Sequence, residues 1–269
     1  MAVGRRMEGR FAVVTGAAGG IGRATCLRLA QEGGTVACLD IDLPGARATA
    51  REAGAAAHAV RADITREEEV LRAVGEVAAR HPVDVLVNVA GVNGPQAGAA
   101  LTSTAGWDRT HAVNLRGSFL VAKHTLPHLT RRRGAIVNIS SALAFVGYPM
   151  DCAYGPTKAG MVQLTQGMAL DYAPDVRVNC VCPGVVRTPM TDDFLRGAPD
   201  TAKAVEEYGT IHPLHRRPAW PHEIADAVLF LVSDDAASIT GVALPVDAGF
   251  LAGPQDDTSV NRPVPPPAS

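Results

Sequence analysis

Tyr154 and Lys158, four residues apart in Tyr154-Gly155-Pro156-Thr157-Lys158, reach the same face of a helix and can share one chemical task. A tyrosine with an ordinary pKa of about 10 is almost wholly neutral at pH 7. Lowering that pKa by roughly 3 units requires about 4 kcal/mol of preferential phenolate stabilisation. A lysine ammonium one turn away supplies positive charge for it, and the pair can then take a proton from an alcohol oxygen or return one. Taken alone this spacing is an ordinary helix surface. What precedes it in the chain gives it meaning.

Thr15-Gly16-Ala17-Ala18-Gly19-Gly20-Ile21-Gly22 follows the first apolar β-type run and opens a helical pattern. Gly16, Gly19, Gly20 and Gly22, with Ile21 among them, let backbone approach a pyrophosphate at the positive end of a helix. The second strand candidate ends at Asp40, 18 residues beyond Gly22. That is close to the usual spacing of about 20 for an acid that accepts hydrogen bonds from ribose hydroxyls. A carboxylate there selects NAD: it repels the 2′-phosphate of NADP, and Ile41 and Asp42 offer no compensating cation.

The elements that must position these residues follow from the pattern of the chain. Strand candidates lie at Ala12-Thr15, Thr35-Asp40, His58-Arg61, Val83-Asn88, Ala135-Ser140, Val176-Cys182 and Ala243-Val246, separated by longer helical stretches. This alternation predicts an α/β fold, a single-domain, Rossmann-type, doubly wound parallel sheet with helices on both faces. Ile224, Ala227, Val228 and Leu231 form one apolar helical stripe, and Pro221 fits the first turn of that helix. Cys180 and Cys182 are expected on one face of a buried strand. The domain is expected to span 10–252, after an N-terminal extension over 1–9. Residues 190–217, interrupted by Gly197, Pro199, Gly209 and Pro213, are expected to form a mobile substrate-loop insertion, and 253–269 a Pro-rich tail without regular structure.

Composition narrows the partners. With 27 acidic and 25 basic residues the formal charge is −2, which gives no electrostatic case for nucleic acid or an anionic membrane. Apolar residues make up 47% of the chain, yet none of their runs reaches the 18 or so positions of a membrane span. No signal-peptide core precedes Phe11, and five cysteines, an odd number in a chain of this size, fit a reducing cytoplasm. His124 and His128 have metal-ligand spacing but no recognisable third ligand, so they are read as solvent-face residues and no metal is expected. Arg131-Arg132-Arg133 reads as a solvated turn, and Cys152 as a small packing residue.

From about Arg10 to Phe250 the chain resembles the short-chain dehydrogenases/reductases. Thr15, Gly16, Gly20 and Gly22 match the family's Thr-Gly-x-x-x-Gly-x-Gly, and Tyr154 and Lys158 its Tyr-x-x-x-Lys. The resemblance implies that Asp63 and Ile64 sit by the adenine. It also implies that Asn88, Ala90 and Gly91 support the sheet and cofactor, although Val89 stands where the family has a second asparagine. Val186 and Thr188, in Pro183-Gly184-Val185-Val186-Arg187-Thr188, are implied to hold the nicotinamide amide, and Lys158 also its ribose. Ser141, 13 residues before Tyr154, resembles the catalytic serine that orients the reacting oxygen, with Ser140 as the competing candidate. Asn114 resembles the asparagine whose helical distortion holds a water in the proton path. Pro156 and Thr157 depart from the family's alanine and serine.

The implied tetrad is therefore Asn114, Ser141, Tyr154 and Lys158, and the implied activity is NAD-dependent interconversion of a secondary alcohol and a ketone. Substrate walls are expected from 92–97, 143–150, Val185, Met190 and Phe194. These are largely apolar and suit a small uncharged alcohol or ketone. A homotetramer is implied, with helices near Asp108-Leu129 and Cys152-Tyr172 at one interface and the last strand at another. Two alternatives stand beside this reading. One is a 3-oxoacyl thioester reductase, which in this family commonly uses NADPH. The other is a catalytically silent nucleotide sensor of the same fold.

Overall fold

Strands alternate with helices through residues 5–253, which the computed structural model describes. The strands are β1 (Phe11–Thr15), β2 (Thr35–Asp40), β3 (Ala57–Arg61), β4 (Val85–Asn88), β5 (Ala135–Ile139), β6 (Arg177–Pro183) and β7 (Ala243–Val246). The helices are α1 (Gly20–Gln31), α2 (Leu43–Ala53), α3 (Glu67–Arg80), α4 (Thr104–His111), α5 (Ser118–Leu129), α6 (Tyr154–Asp171), α7 (Pro189–Phe194), α8 (Thr201–Gly209) and α9 (Pro221–Val232). Each strand begins and ends within two residues of its sequence expectation. The expected Pro-rich tail, from residue 254 on, lies outside the described residues. In the stretch expected as an N-terminal extension, Met7 is fully buried and its N–H donates to Glu32 O at 3.1 Å.

All strand pairs are parallel, in the order β3-β2-β1-β4-β5-β6-β7. Every residue of β1, β4 and β5 is buried, as a parallel sheet covered on both faces requires. Alternate side chains serve opposite layers: Ala12 and Val14 pack with Leu29 of α1 and Val228 of α9, whereas Phe11 and Val13 pack with Val74 of α3 and Leu126 of α5. The direction of winding reverses between β1 and β4, and in open sheets of this kind the crevice at that reversal binds ligands. Cys180 and Cys182 point to one buried face of β6, with Sγ atoms 4.0 Å apart.

Two expectations need correction. Residues 190–217 carry regular structure: the Thr188 side chain caps α7 by accepting from Thr191 N, Pro189 opens that helix, and Asp200 caps α8 by accepting from Lys203 N. The proline and glycines that read as interruptions punctuate short helices instead. His124 is not a solvent-face residue. Its side chain is 17% exposed, and Nε2 lies 3.0 Å from Glu67 Oε1, because α5 packs on α3. Among the described residues no cluster of three metal-ligating side chains occurs, and no helix is long and apolar enough to cross a membrane.

Candidate active site

A cavity of 610 Å³ opens at the C-terminal ends of the strands, on the β1/β4 crevice. Its floor is the glycine loop. Gly16 has φ +67°, and a Cβ there would stand 2.8 Å from Ala90 N, so the loops after β1 and β4 approach closer than a side chain permits. Thr15 Oγ1 ties the same two loops by accepting from Val89 N (3.0 Å) and Ala90 N (3.2 Å). A Cβ on Gly22 would lie 2.0 Å from Gly16 O, which lets α1 start directly under the turn. Gly19 precedes α1 without a side-chain cap, so the first N–H groups of the helix lack a partner from it. A Cβ on Gly19 would meet nothing within 4 Å. Gly16, Gly19, Gly20, Ile21, Gly22, Asp40, Ala90 and Gly91 all line the cavity, as do Val186 and Thr188 from the loop after β6.

Asp40 sits at the end of β2, where Oδ2 accepts from Ala18 N and Oδ1 from Asp42 N, both at 2.9 Å. Those bonds fix the carboxylate at the rim of the glycine loop. Asp63, Ile64 and Asn88 do not line the cavity. Asp63 Oδ1 accepts from Thr65 N (2.9 Å) and Thr65 Oγ1 (2.7 Å), and Ile64 is buried against Gly117. Asn88 Nδ2 donates to Asn138 Oδ1 (3.0 Å), whose own Nδ2 donates to Thr165 Oγ1 (2.8 Å), so this polar ladder fastens β4 and β5 to α6.

Tyr154 is the first residue of α6, and Lys158 stands one turn on with Nζ 5.3 Å from the centre of the tyrosine ring. Pro156 fits, because the third N–H of a helix has no intrahelical acceptor to lose. Lys158 Nζ donates to Ile139 O at 3.0 Å. The Ser141 hydroxyl acts on the Tyr154 side chain and accepts from Leu143 N at 3.1 Å. Ser140 Oγ, by contrast, donates to Lys158 O at 2.7 Å, a bond that holds the helix to the strand end. Asn114 lies in a π-helical turn (Ala112–Gly117) between α4 and α5. Its Oδ1 accepts from Val92 N (2.8 Å) while Nδ2 donates to Val92 O (3.0 Å) and Thr157 Oγ1 (3.3 Å). The tetrad thus converges, with Asn114 behind the wall and the other three on it.

Electrostatics differ from the sequence expectation. Burial pushes Tyr154 up to about 12; the Ser141 hydrogen bond opposes this and the charge of Asp151 adds to it. Burial also pushes Lys158 down to about 8. Desolvation dominates at both groups, so the protein by itself holds Tyr154 as a neutral acid.

The outer walls come from the expected segments. Asn93 Nδ2 donates to Met190 O and Gln96 Nε2 to Phe194 O, both at 2.8 Å, which fastens α7 over the opening. The Tyr208 ring of α8 stacks on Phe194 (centroids 5.8 Å) and meets Tyr148 edge-on (6.1 Å). Sequence reasoning missed Tyr208 and Asp151, which also line the cavity. An available signal for Asp151 was an acid three residues ahead of Tyr154, at the start of a helix.

A family model described as enoyl-(acyl carrier protein) reductase matches residues 16–251. The chain is 39% identical over 256 residues to cis-4-hydroxycyclohexanecarboxylate dehydrogenase of Sinomonas cyclohexanicum, covering 93% of this chain and 100% of that protein. It is also 39% identical to cyclopentanol dehydrogenase of a Comamonas species, covering 92% and 99%. Among solved structures, levodione reductase superposes with a TM-score of 0.88 at 30% identity, covering 92% of this chain and 99% of that one.

Proposed function

The chain belongs to the short-chain dehydrogenase/reductase family of nicotinamide-dependent oxidoreductases, and from that premise we propose that it interconverts a small secondary alcohol and its ketone with NAD. One observation carries this reading. Tyr154, one turn from Lys158, stands with Ser141 on the wall of the same cavity that the glycine loop and Asp40 line.

A dinucleotide fits the residues present. The open space at Gly19 and the uncapped start of α1 suit a pyrophosphate, which a side chain at Gly19 would displace. Asp40 suits a ribose diol and opposes a 2′-phosphate, which favours NAD over NADP. Val186, Thr188 and Lys158 line the same cavity, which supports Val186 and Thr188 as partners of the nicotinamide amide and Lys158 as a partner of its ribose. When bound, the cofactor supplies the hydride acceptor or donor.

Tyr154 Oη returns a proton to the carbonyl oxygen in reduction and removes it from the alcohol in oxidation. Ser141 orients that oxygen, Lys158 raises the local positive potential, and Asn114 holds the Val92 backbone and the start of α6 in place. Small alicyclic alcohols suit the cavity and accord with the names of the two relatives. The description of the matching family model favours a second reading, acyl-thioester reduction, which Asp40 opposes wherever NADPH is the reductant. Phe119, Leu170 and Tyr172, exposed on or beside α5 and α6, support a homotetramer built on those helices. Five free cysteines accord with a reducing cytoplasm.

The test offers the protein secondary alcohols with NAD or NADP and follows reduced nicotinamide by absorbance. Turnover with NAD that is lost in Tyr154→Phe, with NADH binding retained, supports the reading. Turnover that survives in Tyr154→Phe removes the tyrosine from its role.

A further inference from the structure

One polar group stands out on the largely apolar outer wall. Asp151 lies three residues ahead of Tyr154, and its backbone is pinned by a parallel bridge to Ala97 on the opposite loop. Its carboxylate faces the N–H groups of Tyr154 and Gly155, with Oδ2 3.5 Å from where a Cβ on Gly155 would stand, so its position relative to the reacting tyrosine is set by the first turn of α6. Three hydroxyl-bearing rings complete the surroundings: Tyr148 from the same loop, Tyr154 from α6 and Tyr208 from α8. Tyr148 and Tyr208 meet ring edge to face with centroids 6.1 Å apart, and Asp151 and Tyr154 both act electrostatically on Tyr208. Among the described residues no lysine, arginine or histidine pairs with Asp151.

A carboxylate offers about four acceptor positions, and the two N–H groups use only part of that capacity. Burial without a cation raises its pKa to about 6, a sign of incomplete solvation. A capping role alone accounts for its place over the two N–H groups. It does not account for a carboxylate turned to the wall of the reaction cavity beside paired phenols.

Resting on the dehydrogenase reading above, we propose that Asp151, with the hydroxyls of Tyr148 and Tyr208, forms a second polar subsite that selects neutral diols over simple alcohols and over anions. A second substrate hydroxyl donates to Asp151 and accepts from a tyrosine, which fixes the first hydroxyl against Tyr154. A substrate carboxylate at that place meets a like charge. The relative that acts on a hydroxycyclohexanecarboxylate by name therefore marks a preference this chain does not share.

Cyclohexanol, the cis and trans cyclohexanediols and 4-hydroxycyclohexanecarboxylate serve as probes at pH 8 with NAD. One diol should exceed cyclohexanol by about 10- to 100-fold in kcat/KM, mainly through KM, and the carboxylate should fall below both. Asp151→Asn keeps an acceptor for the helix cap but loses the charge. It should reduce the diol-to-cyclohexanol ratio to within about threefold and raise the carboxylate relative to cyclohexanol. Ratios within one preparation do not depend on the fraction of protein that folds.

Calorimetric binding of the same probes to the NADH-loaded protein gives a readout that needs no turnover. Tight, Asp151-dependent diol binding without oxidation supports the subsite and refutes the dehydrogenase reading. Diols and cyclohexanol bound and oxidised alike, or a ratio unchanged in Asp151→Asn, overturns the subsite and leaves the dehydrogenase reading standing.

Discussion

Replacing Asp40 by asparagine should reverse or erase the choice between NADH and NADPH. The carboxylate accepts from Ala18 N and Asp42 N, each at 2.9 Å, and keeps lone pairs for a ribose diol. Charge-assisted hydrogen bonds contribute about 1.5–3 kcal/mol, so NADH affinity should fall by one to two powers of ten. The 2′-phosphate of NADPH gains from removal of a like charge. At a contact of about 4 Å that relief lies between about 1 kcal/mol in water and about 4 kcal/mol near a protein surface, and the open rim favours the lower half. Together the ratio of the two dissociation constants should shift by roughly 10²- to 10⁴-fold towards NADPH. Calorimetric titration of both reduced cofactors reads it directly. Asparagine keeps one acceptor for the loop, and any residual loosening of the glycine turn weakens both cofactors alike and cancels in the ratio. A shift smaller than about threefold would refute the assignment of Asp40 as the selecting group.

Ketone reduction should be insensitive to pH on the acid side of neutrality, since Tyr154, held up to about 12, stays protonated. It should decline above about pH 8 as Lys158 loses its charge, and a kcat/KM profile rising through pH 8 would count against this. Gly22→Ala places a Cβ 2.0 Å from Gly16 O and should lower both the melting temperature and dinucleotide affinity. Gly19→Ala, whose Cβ meets nothing, should lower affinity alone; equal melting losses in the two variants would contradict the geometry. Glu223, held down to about 2 chiefly by its hydrogen bond to Arg217, stabilises the fold above the ordinary carboxylate range, and this contribution is lost as pH falls towards 2. Both side chains are about one-third exposed, so Glu223→Gln should cost only about 1 kcal/mol at pH 7 in denaturant unfolding, and the gap should close in acid.

The parts of the site that were legible in the sequence are those where backbone demands a residue type. Gly16 and Gly22 tolerate no side chain, and the strands are continuous apolar runs bounded by turns. Asp40 was legible because it ends a strand at a fixed distance from the glycines. Helices α7 and α8 were not, since each is short and Gly197, Pro199 and Gly209 read as breaks, whereas the caps at Thr188 and Asp200 depend on the folded backbone. Asp151 and Tyr208 belong to no periodic pattern, and only the fold turns them to a common wall. The upward shift of Tyr154 was illegible for a different reason: sequence spacing gives the neighbour that supplies charge but not the burial that outweighs it.

The reversal of winding between β1 and β4 makes the molecule a two-part device whose halves share one core layer. On the proposed function, nucleotide choice belongs to residues 15–40, whereas proton transfer and the substrate wall belong to residues from 92 onward. The parts meet through the Thr15 hydroxyl on Val89 and Ala90, a short β1/β4 pairing, and the packing of α1 on α9 with Arg28 paired to Asp226. Exchange of the first part between relatives should carry cofactor preference with it and leave the substrate range behind where the exchanged α1 still fits α9.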